Sequence, residues 1–131
     1  MQVPDHITEI LILALLIITF AQSGIDKITD WKGNVSFLSE HFKKTIFKGS
    51  VPILLVIVLI MEIVASIFMI IGCYQLVANG ETTMALYGLV LAALTLLMLL
   101  FGQRIAKDYA GAMTIVVYYV PTILGIYFLT K

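Results

Sequence analysis

The sequence predicts an all-α integral membrane protein. Four transmembrane helices form an antiparallel bundle, with an interfacial amphipathic helix between helices one and two. Three observations predict it. The 131 residues are 61% hydrophobic and 12% charged, with a mean hydropathy of +1.07, whereas soluble domains carry about 25% charged residues. Four stretches reach the roughly 20 apolar residues needed to cross a hydrocarbon core about 30 Å thick. The cations are gathered into two of the connections between those stretches.

The same figures exclude other classes. Eight Lys and Arg balance eight Asp and Glu, so the chain has neither the net charge of a disordered segment nor the basic surface of a nucleic-acid binder. One cysteine, Cys73, excludes an intrachain disulfide, a Cys-x-x-Cys redox pair and a cysteine-built zinc site. A single domain, residues 1–131, is expected.

The first span covers about 4–23, with Pro4 in its first turn, where a missing N–H costs nothing. It is read as a retained helix, because Asp5 and Glu9 stand where a signal peptide would be basic and no small-x-small cleavage site follows. Gly24 is read as the residue that ends it, with Lys27 snorkelling or capping its last carbonyls and Asp26 pairing with Lys27 or Arg104. The second span covers 51–77 and opens with Pro52. The third covers 83–102, with Thr82 or Thr83 as N-cap, and the fourth covers 109–129 and contains Pro121.

Orientation follows from the cations. Lys27, Lys32, Lys43, Lys44 and Lys48 precede the second span, and Arg104 and Lys107 precede the fourth, against Lys131 alone on the other side. Cytoplasmic loops are enriched in Lys and Arg, so both connections are expected in the cytoplasm and both termini outside. The 24–50 connection is patterned: Val35, Leu38, Phe42 and Ile46 recur at helical spacing, and Trp31 suits a membrane boundary. A short amphipathic helix at the interface, within 34–48, is the expectation.

Glu62 is the residue that costs most to place in lipid. It lies eleven positions into the second span, about 16 Å deep, where a charge costs about 3 kcal/mol on insertion scales. It must face the bundle, find partners or be protonated. Ala65, Ser66, Gly72 and Cys73 share its side of the helix, and small residues let helices approach. Counting depth along the other spans brings Thr95, Tyr118 and the long amide of Gln22 toward it, so a polar cluster of Gln22, Glu62, Thr95 and Tyr118 is expected. Two roles stay open: hydrogen-bonding that sets helix register, or a titrating Glu62 in proton relay or ligand binding. No metal-ligand spacing, phosphate loop or Ser/His/Asp set occurs, and neither His6 nor His41 lies inside a span.

The residues resemble the DoxX-like family of small four-helix membrane proteins. Phe20, Gly24 and Lys27 match its aromatic residue and Gly-x-x-Lys at the end of helix one. Glu62, Ala65, Ser66 and Gly72 match its glutamate, small residues and glycine in helix two. The resemblance implies an accessory subunit of a membrane oxidoreductase system, thiosulfate:quinone systems among them, or an assembly chaperone. The expected function is therefore a non-catalytic subunit or assembly factor of a larger respiratory-type complex. Its expected partners are the bilayer and other membrane-protein subunits, with no cofactor of its own beyond contact with a quinone. A proton-coupled transporter using Glu62, or a subunit whose Glu62 and Tyr118 contact quinone, are the alternatives.

Overall fold

The computed structural model describes residues 6–131; Pro4 and Asp5, placed by sequence in the first helical turn, lie outside the described residues. Five helices follow in order: α1 Ile7–Thr29, α2 Trp31–His41, α3 Val51–Asn79, α4 Thr83–Ile105 and α5 Tyr109–Thr130. Helices α1, α3, α4 and α5 are each long and apolar enough to cross a membrane. Large aliphatic side chains such as Ile53, Ile60, Ile67 and Ile70 lie exposed along α3. Together with the four apolar helices, such a surface fits a multi-pass membrane protein, because extensive exposed apolar surface is rare on soluble monomers.

α1 differs from its expected form. Gly24 does not end it; the helix runs on to Thr29. Gly24 is buried, and a side chain there would point at Leu59 and Ile63 of α3. Leu13, Leu16, Phe20 and Gly24 recur at spacings of three and four and form the buried stripe of α1. The helix stops at Asp30, whose backbone N–H bonds the Asp26 carbonyl while its carboxylate accepts the Gly33 N–H at 3.2 Å. One residue thus closes α1 and caps α2.

The helix expected within 34–48 begins earlier and is shorter. α2 ends at His41, and residues 42–50 form a run of turns. The cause lies at Thr45, whose hydroxyl donates to the Phe42 carbonyl at 2.8 Å and accepts the Phe47 N–H at 3.1 Å. Such local hydroxyl bonds compete with helix propagation. Gly49, at φ +84, then takes a left-handed turn before α3.

α3, at 29 residues, is the longest helix and measures about 43 Å. Pro52 occupies its first turn, and Gly80 ends it in the left-handed conformation at φ 75. α3 and α4 meet most closely where side chains are smallest. A Cβ added at Gly72 would overlap the backbone of Ala85, and one at Gly88 would lie 2.7 Å from Met69 Cγ. As position rises along α3, its partner therefore falls along α4. Gly125 of α5 packs on Leu89 of α4 and Ile12 of α1. Leu13, Leu16, Met69 and Leu89, all fully buried, fill the space between. α5 continues through Pro121 without a break, and Asp108 caps it by accepting the Gly111 N–H at 3.0 Å.

Close approach at Gly72 sets a specific expectation. Gly72→Leu destabilises the protein by about 1–3 kcal/mol or more, since the overlap is with backbone that cannot move aside. Gly102→Ala, whose new methyl would meet only the Phe42 ring at 3.6 Å, leaves stability near the parent value. Unfolding in mixed micelles measures both; equal stability of the two variants would contradict the packing.

Candidate functional site

Lys27 Nζ lies 2.9 Å from Glu62 Oε1, with side-chain exposures of 14% and 4%. This is an ion pair between α1 and α3 in the apolar interior. Removing two charges from water is costly, and the adjacency of opposite charges offsets part of that cost. The ammonium also donates to Ser23 Oγ at 2.6 Å. Ser23 and Lys27 are four residues apart and so share one face of α1. The contact with Glu62 falls outside hydrogen-bond geometry, so Oε1 carries the charge of the pair but no directed hydrogen bond.

Local structure explains why the pair forms. Gly24, one turn before Lys27, lets α1 approach Leu59 and Ile63, which flank Glu62 on α3. Ser66, one turn beyond Glu62, turns its hydroxyl back to the Glu62 carbonyl at 2.7 Å and presents no competing donor to the carboxylate.

The expected polar cluster is placed differently. Gln22 is exposed; it stands two residues from Phe20 and from Gly24, about 200° around the helix from the buried stripe. Thr95 is fully buried, and the α3–α4 register set by Gly72 and Gly88 carries it to the level of Glu62. Its hydroxyl, however, is taken by the Leu91 carbonyl at 2.8 Å. Tyr118 is partly buried against the core, and its carbonyl accepts the Thr122 hydroxyl at 2.8 Å. Among the described residues no hydrogen bond joins Glu62 to Gln22, Thr95 or Tyr118. Phe20 and Gly72 are both buried, Phe20 in the core of α1 and Gly72 against α4. Asp26 is exposed and pairs with neither Lys27 nor Arg104; its carbonyl accepts the Asp30 N–H.

Beside the ion pair lies a groove of about 800 Å³. α2 and the 42–50 turns form one wall, α3 and α4 the others, with Phe42, Phe47, Leu55, Met61, Leu97 and Met98 among the lining side chains. Lys27 is the one ionic residue in that lining; Asn34 and Gln103 are its neutral polar members. The groove exists because α1 stops short. Lys27, near the end of α1, meets α3 eleven residues from its start, so about three turns of α3 project beyond α1. α2 covers that projection with no buried residue of its own. Its far end is tied to the α4–α5 turn by His41, whose Nε2 lies 2.9 Å from Gln103 Oε1 and 3.5 Å from Asp108 Oδ2. A run of ring contacts, Phe37 to His41 to Phe42 to Phe47 to Phe101, reinforces the tie.

Sequence reasoning missed the Lys27–Glu62 contact and the role of His41. The signal for the first was indirect: Lys27 lies beyond the apolar span read from the sequence, between Asp26 and Asp30, and only the need of an intramembrane carboxylate for a partner pointed to it. No group of three His, Cys, Asp or Glu side chains suited to a metal ion occurs among the described residues.

The ion pair predicts strong non-additivity. Lys27→Met or Glu62→Met alone strands a buried charge and costs about 3–5 kcal/mol, whereas Lys27→Met with Glu62→Met removes both charges and recovers most of the loss. A double-mutant cycle in mixed micelles measures this; additive losses would show that the two charges do not interact. Compared with known proteins, the chain matches no family model, no curated protein and no solved structure.

Proposed function

We propose that this chain is a DoxX-like, non-catalytic subunit or assembly factor of a larger respiratory-type complex in the bacterial inner membrane, and that it holds a lipid-soluble carrier such as a quinone. Its four apolar helices cross as an antiparallel bundle, α2 lies at the cytoplasmic interface, and both termini are extracytoplasmic. The observation that carries the reading is the apolar groove of about 800 Å³ with the Lys27 side chain in its wall. Ligand sites are concave, mostly apolar and furnished with a few fixed polar groups, at volumes of about 300–1,000 Å³. α5 adds support for a subunit role, since it is the least buried of the four spans and presents Met113, Val117 and Val120 outward for lipid or a neighbouring helix to cover.

Proton-coupled transport through Glu62 is the weaker reading, because the carboxylate is held by a fixed cation rather than by a mobile partner. Glu62→Gln separates the two. Combined with Lys27→Met so that no buried charge is stranded, it cannot exchange a proton, so a holding role keeps partner binding while a relay role loses all transport.

Native purification with mass spectrometry of co-purifying chains and lipids tests the main reading. A stoichiometric membrane partner together with a retained lipid-soluble carrier is expected; a lone chain that moves substrate in vesicles would overturn it. Topology is tested on a Cys73→Ala background with single cysteines at Asn34 and Asn79. Labelling from outside is expected at Asn79 and not at Asn34.

A further inference from the structure

Resting on the proposed lipid-holding role of the groove, we infer that its occupant is an apolar chain headed by a neutral oxygen acceptor, such as a ketone or ester carbonyl. Acids, phosphates and amines are excluded by charge balance. The ionic side chain lining the groove is Lys27, and Glu62 at 2.9 Å already neutralises it. An anionic head would therefore enter a region with no net positive charge and lose its hydration without compensation. A cationic head would meet the Lys27 ammonium as a like charge.

Hydrogen-bond capacity selects the acceptor. An ammonium carries three N–H donors and accepts none. Ser23 Oγ takes one, and the Glu62 contact lacks hydrogen-bond geometry. A donor of Lys27 thus remains for a ligand oxygen, in a setting where buried donors are normally satisfied. The neutral polar liners are partly engaged: the Asn34 amide donates to the Asp30 carbonyl at 2.8 Å and the Asp26 carbonyl at 3.3 Å, and the Gln103 oxygen faces His41. Lys27 is the charged donor left to recognise a head, the Gln103 amide N–H groups also favour an oxygen acceptor, and the aliphatic and aromatic walls accept the chain.

Binding to the protein in nanodiscs of ether-linked phosphatidylcholine, which brings no carbonyl of its own, tests this. The probes are a radiolabelled long-chain methyl ketone and the alkane, fatty acid and primary amine of the same chain length. The ketone is expected to bind about ten- to a hundredfold more tightly than the alkane, the range for a hydrogen bond from a charged donor. The acid and amine bind no better than the alkane. In Lys27→Met with Glu62→Met the ketone falls to the alkane's level while the chain still binds. Ser23→Ala, which leaves the ion pair intact, preserves the ketone preference and serves as the variant least disturbing to the fold. Preference for the acid or amine, or a ketone preference that survives the double replacement, overturns the inference. Equal binding of all four probes overturns the head-group assignment alone. Binding of none, or binding unchanged by Leu97→Trp within the groove, overturns the lipid-holding role with it.

Discussion

A carboxylate buried about 16 Å along an apolar helix needs a partner; here the partner is a cation, and supplying it shapes this protein. Lys27 reaches Glu62 because Gly24 lets α1 lie against α3 and because Ser23 takes part of the ammonium's hydrogen bonding. Meeting at that depth fixes where α1 ends relative to α3. The first three turns of α3 are then left without α1, and the chain must travel back along them to begin α3. α2 and the turns through Gly49 are that return path, and the space they fail to fill is the groove.

Much of this architecture was legible in the sequence, for reasons that can be located. The four long helices are visible because a span needs only length and apolarity, both local properties. The inward face of α3 could be read because Ala65, Ser66 and Gly72 cluster around Glu62, and backbone approach needs small residues. Thr95 could be brought to the depth of Glu62 because rise per residue is constant. The partner of Glu62 was missed because depth counting assumed that α1 ends level with the start of α3. Gly24 invited that assumption: a glycine followed by Ile-Asp-Lys reads as a helix stop, whereas here it is a contact surface inside the helix. The start of α2 was misplaced for a related reason, since Asp30 caps through its side chain and carries no apolar periodicity.

Packing differs between the two ends of the molecule in a way that bears on the site. At the end away from α2, Gly72 and Gly88 hold α3 and α4 in backbone contact, and a side chain cannot be inserted without displacing main chain. At the α2 end the facing side chains are Met61, Leu97 and Met98, long and unbranched or singly branched, which re-pack at low cost. The small-residue seam therefore holds the helices in place, while the methionine- and leucine-lined end is the more adaptable part of the bundle.

That asymmetry also decides which element yields when the groove is filled. α1 is tied to α3 by the ion pair and by the buried stripe from Leu13 to Gly24, and α4 is tied to α3 by its glycines. α2 has no buried residue; its far end is attached by His41 and a sequence of ring contacts, and its near end by the turn at Asp30. Segments with few buried contacts open at the lowest free energy. α2 is therefore the wall of the groove that opens at least cost, with the ion pair undisturbed. Lys27 is held by Glu62 and Ser23 on helices that α2 does not anchor, so loosening α2 requires no rearrangement of the helices that hold the fold together.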